Sequence, residues 1–207
     1  MSYRIPFLRV IFETVMRFKR KHAVLIAISG LLSAVAFAQT AGIDAALLAK
    51  ANGGDAASQV LVGESYAEGK GVTRDLQQAA VWYRKAAEKG DVAGEVHLAT
   101  LYRDGGKGFP RDAAQAVEWY RKAAEQGDVS AQGLLGVLYS LGQGVAQNYV
   151  EAYYWLDLAA AVKGPKQEQY STNRQMVGTH ITVDEQAEVQ ERATKWLAAH
   201  PRRDAAE

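Results

Sequence analysis

Four features of the chain carry residue types that could do chemistry. The string Gly63-Glu64-Ser65-Tyr66-Ala67 comes within one residue of the Gly-x-Ser-x-Gly elbow, which presents a nucleophilic serine on a strained strand-to-helix turn beside a histidine. The residues around Ser65 have helical spacing, which places it mid-helix at the register of Leu101 and Leu138. Gly69-Lys70-Gly71 has the glycines of a phosphate loop, but Val72 stands where a Ser or Thr would hold magnesium. His97, His180 and His200 have no His or carboxylate at i+4 on the same helix face, so they make no convincing metal pair. The tryptophans and tyrosines could form a carbohydrate platform, yet their helical register assigns them to a core. The chain has no cysteine, which removes disulfides, thiolate nucleophiles and Cys-based metal sites together. No catalytic, cofactor or metal centre is expected.

The elements that hold these residues repeat. Trp82, Trp119 and Trp155 recur at 36 or 37 residues, as do Tyr66, Tyr102 and Tyr139 and the pairs Gly54-Asp55, Gly90-Asp91 and Gly127-Asp128. A fixed period in this range marks stacked units, each too small to bury its apolar face alone. Every unit reads as two helices joined by a glycine turn. Asp55, Asp91 and Asp128 start the first helix, directly after a glycine that can close the preceding one. Its buried stripe is Ser58, Val62 and Tyr66, then Gly94, Leu98 and Tyr102, then Ala131, Leu135 and Tyr139. Gly63, Ala99 and Gly136 beside that stripe allow close helix approach. The turn is Gly69-Lys70-Gly71-Val72 in unit one and Gly142-Gln143-Gly144-Val145 in unit three, with one residue inserted at Gly105-Gly106-Lys107-Gly108-Phe109. Asp75, Asp112 and Asn148, each followed three residues later by Gln78, Gln115 or Glu151, predict a capping box on every second helix. That helix buries Ala79, Trp82 and Ala86 and their equivalents Ala116, Trp119, Ala123 and Ala152, Trp155, Ala159.

The ends differ from the repeats. Residues 39–53 suggest a short capping helix with Ile43, Ala46, Leu47 and Ala49 to Ala51 on its apolar side. After Gly164-Pro165, residues 164–200 predict two C-terminal capping helices, the second behind a box at Thr182 to Glu185 with Ala187, Ala193, Trp196 and Leu197 inward. Residues 201–207 read as a frayed tail. At the other end Arg17, Lys19, Arg20 and Lys21 precede an apolar run from Ala23 to Ala38 that closes on Ala36-Phe37-Ala38, the pattern of a secretory signal cleaved before Gln39. Residues 1–38 are assigned to this signal, with Met16 as a candidate true start. The run is shorter than the roughly 20 apolar residues of a membrane anchor. Residues 1–38 hold six of the 24 Lys and Arg and one of the 23 Asp and Glu, so the remainder is mildly acidic. No basic stripe is present to neutralise nucleic-acid phosphates.

These strings resemble the Sel-one-like repeat (SLR) family of tetratricopeptide-like helical hairpins over residues 54–163. The shared scheme is small-xxx-Leu-Gly-x-Leu-Tyr, a Gly-x-Gly-Val turn, Asp-xxx-Ala-xx-Trp and Lys-Ala-Ala-xx-Gly. Tetratricopeptides proper run at 34 residues without the inner glycine turn. Departures are the inserted glycine of unit two, Gly133 where a larger residue is usual, and Leu156-Asp157-Leu158 in place of Tyr-Arg-Lys. The resemblance implies an all-α fold, an α-solenoid of three full SLR units with an N-terminal half unit and C-terminal capping helices. It implies scaffold or adaptor work rather than catalysis, with recognition on the exposed, concave side of the first helices.

The expected function is that of an exported, periplasmic envelope protein that binds a protein or peptide partner through Glu64, His97, Thr100 and Arg103. His97 stands where the other units have Leu61 and Leu134. Nucleic acid is not an expected partner, and the membrane is one only if the signal segment is retained. Two alternatives stay open: a membrane-tethered structural subunit of an export or polysaccharide machine, and a cell-wall hydrolase, for which the chain shows no nucleophile, base and oxyanion set.

Overall fold

The computed structural model describes residues 42–201, and the signal-like segment and the terminal residues 202–207 lie outside them. Among the described residues the chain forms helices α1 Ala45–Asn52, α2 Ala56–Glu68, α3 Leu76–Ala87, α4 Val92–Asp104, α5 Ala113–Glu125, α6 Val129–Leu141, α7 Tyr149–Ala160, α8 Gln167–Gly178 and α9 Val183–Ala199. Helices α2/α3, α4/α5 and α6/α7 are the three hairpins, and the first helix of each packs on the second helix of the one before. The all-α solenoid expected from the repeat is the fold observed.

The same local bonds build each hairpin. The carboxylates of Asp55, Asp91 and Asp128 accept from the amides of Ser58, Gly94 and Ala131 at 2.9, 2.8 and 2.7 Å. Gly54, Gly90 and Gly127, with φ between 78° and 95°, let the chain leave one helix and enter the next within a residue. At the inner turn, the amides of Asp75, Asp112 and Asn148 return to the carbonyls of Tyr66, Tyr102 and Tyr139 at 2.9, 2.8 and 3.0 Å. Arg74, Arg111 and Gln147 then donate to the last-turn carbonyls of Ala67, Arg103 and Ser140, which no helical amide can reach.

Two predictions need correction here. Asp75, Asp112 and Asn148 do cap their helices, accepting from Gln78, Gln115 and Glu151 at 3.0 Å, but the reciprocal half of the box is absent. Among the described helices the two-way box closes only at Thr182 and Glu185. A single cap satisfies the orphan amide for about 1 kcal/mol, and the bonds to Tyr66, Tyr102 and Tyr139 already occupy the cap amides that a box would use. Ala187 is exposed rather than inward, as are Ala46 and Ala49, because α9 and α1 each bury one narrow edge. On α9 that edge is Val189, Ala193, Trp196 and Leu197.

The core follows the repeat. Ala79, Ala86, Ala116, Ala123, Ala152 and Ala159 are fully buried, and Trp82, Trp119 and Trp155 nearly so. Small residues on one helix make room for large ones on the next: a methyl on Gly63 would fall 2.6 Å from the Tyr83 ring, and one on Gly136 2.7 Å from Leu156 Cγ. Arg84 of α3 donates to the Tyr102 hydroxyl and Arg121 of α5 to the Tyr139 hydroxyl at 2.8 Å, so the second helices of units one and two are stapled to the following first helix.

The inner turn of unit two differs, as its insertion predicts. Gly69 and Gly142 end their helices in the left-handed conformation with ψ near 30°, whereas Gly105 has φ 64° and ψ −158°. The chain then folds back through paired bonds between Gly106 and Phe109, and the Phe109 ring packs on Tyr102 at 5.3 Å.

At the C-terminus α8 packs on α7 in the place of another first helix, but α9 does not form a hairpin with it. Instead α9 packs against α7, where Arg192 pairs with Glu151 at 2.6 Å and lies 3.7 Å over the Tyr154 ring. This explains Tyr153-Tyr154, which replace Ala80-Val81 and Val117-Glu118 of the earlier units and are buried. At the N-terminus Leu47 and Leu48 of α1 shield Val62 and Trp82.

Candidate functional site

The exposed residues of α2 and α4 meet across a groove of about 260 Å3. Glu64, Glu68, Tyr83, His97, Thr100 and Asp104 line it. Helical spacing puts Glu64 and Glu68 one turn apart on α2, and His97, Thr100 and Asp104 on one stripe of α4. Tyr83 enters from α3 beneath them because Gly63 leaves its ring room.

Three of the four residues expected from the sequence come together there. His97 Nε2 lies 3.3 Å from Glu64 Oε1, and the imidazole stacks on Tyr83 with ring centroids 5.0 Å apart and planes 13° from parallel. Thr100 Oγ1 shares a 2.9 Å hydrogen bond with the Tyr120 hydroxyl. Arg103 stands apart. It grips its neighbour Asp104 through two hydrogen bonds of 2.7 and 2.9 Å and lies 5.9 Å from the centroid of the Tyr120 ring. Asp104, rather than Arg103, reaches the groove wall.

The electrostatics of the groove follow from burial and from its hydrogen bonds. Burial pushes the Tyr83 phenol far above its usual range, and Glu64 and Glu68 push it further, so the hydroxyl stays protonated. Burial likewise raises Tyr120, against the opposing pull of Thr100 and Arg103. The Arg103 hydrogen bond holds the Asp104 carboxyl below the ordinary carboxylate range. Fixed hydroxyl, imidazole and carboxylate groups around a shallow groove can hydrogen-bond a peptide backbone or polar side chain.

The other reactive residues sit in structural roles. Ser65 is mid-helix in α2, and its hydroxyl donates to the Leu61 carbonyl at 2.9 Å, which leaves no elbow. His180 stacks on Tyr149 and His200 on Trp196 at 4.3 and 4.2 Å. Among the described residues no three His, Cys, Asp or Glu converge as a metal site, and no helix is long and apolar enough to cross a membrane.

Sequence reasoning missed Tyr83 and Glu68 in the groove. The signal for Tyr83 was its shared register with Tyr120, both directly after a core tryptophan. It also passed over Gln59, Glu95 and Gln132, polar residues at one register of the first helices that are all buried.

The Sel1 repeat model matches residues 56–91, 93–128 and 129–161, coinciding with the three hairpins. A Sel1 repeat protein from Oxalobacter formigenes is 33% identical with a TM-score of 0.53, over 59% of this chain and 92% of that one. A protective antigen of uropathogenic Escherichia coli strains with an SLR fold is 21% identical over 78% of this chain and 50% of its own, with a TM-score of 0.39. Helicobacter pylori cysteine rich protein B is 23% identical over 46% of this chain and 71% of its own, with a TM-score of 0.42. No curated protein matches. The three matched segments and the hairpins they coincide with lead to one assignment: the chain belongs to the Sel1 repeat family.

Proposed function

We propose that this protein is an exported scaffold or adaptor of the bacterial envelope that binds a protein or peptide partner in the groove between α2 and α4. Sel1 repeat proteins generally mediate protein–protein interaction, and the family is a non-catalytic helical repeat scaffold family. The observation that carries the site is the meeting of Glu64, His97 and Thr100 on one groove. Stacking residues that recur in the three units hold the groove open, and its lining supplies specificity. Periplasmic location rests on the basic, apolar and small-residue pattern before Gln39.

A photo-crosslinking residue placed at Thr100 in cells tests the binding reading, with one at Glu118, on the outer side of α5, as its control. One envelope protein captured from Thr100, absent from Glu118 and lost on Glu64→Lys, supports it. Equal capture from both positions counts against it. N-terminal sequencing of the mature protein tests export separately: a start at Gln39 agrees with cleavage, and retention of Ala23 to Ala38 favours the tethered alternative.

A further inference from the structure

Gln59, Glu95 and Gln132 occupy one register on α2, α4 and α6, and each is at least 95% buried. Gln59 donates to the Ala51 carbonyl at 3.0 Å and Gln132 to the Ala124 carbonyl at 3.1 Å, in both cases eight residues back at the end of the preceding helix. These bonds fasten α2 to α1 and α6 to α5. The matching acceptor in the middle unit is the Ala87 carbonyl at the end of α3. An ionised carboxylate has no hydrogen to give it. Glu95 is instead held at its Oε2, which accepts from Nε2 of Gln126, the residue that caps α5, at 2.8 Å. The joint between α3 and α4 therefore lacks the side-chain bond that its two neighbours have.

We infer that Glu95 is a proton-operated latch between units one and two: when protonated, its carboxyl donates to the Ala87 carbonyl and closes the α3–α4 joint, and when ionised it releases that carbonyl and is held by Gln126. The proton comes from solvent and no covalent bond other than O–H forms. The charged groups that act most on Glu95 are Lys122 and Glu125 of α5 and Asp91 at the start of α4. Burial raises its proton affinity above that of an ordinary carboxylate, opposed by the Gln126 bond and by Lys122, while Asp91 and Glu125 add to it. The folded carboxyl thus binds its proton more tightly than the unfolded one. The stabilisation is complete below the unfolded carboxylate range and is lost as pH rises through the raised folded value.

The position of the latch gives it a consequence. Glu95 lies two residues before His97 on α4, and His97 meets Glu64 of α2 across the groove. The joint that the latch closes joins α4 to α3, the hairpin partner of α2. Its operation does not depend on what the groove binds.

The test follows the Ala87 carbonyl carbon and the Glu95 carboxyl carbon by NMR in the isotope-labelled full chain from about pH 4 to pH 8. In the wild type the Ala87 resonance moves with the midpoint of Glu95. In Glu95→Gln it holds one position throughout, on the side of the acid form. At neutral pH the Glu95→Gln protein melts above the wild type by on the order of 3 °C, and the gap closes on acidification. Glu95→Ala, which has neither state, melts below both at either pH. An Ala87 resonance that stays still while Glu95 titrates overturns the latch, and so does a Glu95→Gln protein that melts at or below the wild type at neutral pH.

Discussion

The ring of Tyr170 fills the space that a side chain at Gly133 would need. Tyr170 belongs to α8 and Gly133 to α6, so the capping helix reaches past α7 to the first helix of the last unit. The other units carry Val60 and Val96 at this register. Gly133→Val therefore restores the residue of the repeat while evicting the ring of the cap. It is expected to destabilise the protein by about 1–3 kcal/mol, the usual range for overpacking a filled site. Thermal unfolding followed by circular dichroism checks this, and a variant as stable as the wild type refutes the seating of Tyr170.

Asp157 reverses a charge that the earlier units share. Its equivalents Arg84 and Arg121 staple onto tyrosine hydroxyls of the following helix, whereas Asp157 receives Arg174 of α8 at 2.5 Å. Asp157→Arg makes unit three match the others and sets two guanidinium groups against each other. The half-buried pair makes a loss of about 1–3 kcal/mol the expected result, with Asp157→Asn costing less. Urea unfolding with and without added salt separates the two effects, since only the like-charge repulsion weakens with salt.

These two residues show where sequence reading stops. The hairpins, their caps and the tryptophan stripe were legible because the same physical problem is solved three times, and agreement between copies exposes the solution. Gly133 and Asp157 looked like defects in the third copy because their reasons lie outside the repeat, in α8. No period announces those contacts. The groove was half legible: His97 stood out as a replacement for leucine, while Tyr83 was hidden among core aromatics and reaches the groove because Gly63 leaves its ring room. Arg103 was read as exposed because Asp104, its immediate neighbour and partner, left no mark in the spacing.

Gly63 links core packing to the groove. An added methyl would meet the Tyr83 ring at 2.6 Å, and that ring carries the stacked imidazole of His97. Gly63→Ala is expected to cost about 1–3 kcal/mol and to shift the His97 ring resonances, because Tyr83 must move before the methyl fits. Gly90→Ala is the control: a methyl there meets no atom within 4 Å, but its φ of 78° strains any side chain. It should lose stability through backbone strain and leave the His97 resonances in place. Matching His97 shifts in both variants would mean that the imidazole senses global loosening rather than Tyr83.

Specificity is expected where the copies disagree, and His97 allows a test in which folding is preserved. Leucine is the residue at both equivalent positions, so His97→Leu keeps a side chain that this helix face accepts. The substitution removes the 3.3 Å contact to Glu64 and the stack on Tyr83. His97 and Glu64 are both partly exposed, so stability should change by less than about 1 kcal/mol. Partner capture through Thr100 should nevertheless fall, since the groove loses its polar wall on the α4 side. Leu61→His, which adds an imidazole one unit earlier, should leave capture unchanged. If His97→Leu retains full capture with an unchanged melting curve, the groove does not read its partner through this residue, and recognition must run along Glu64, Glu68 and Thr100 alone.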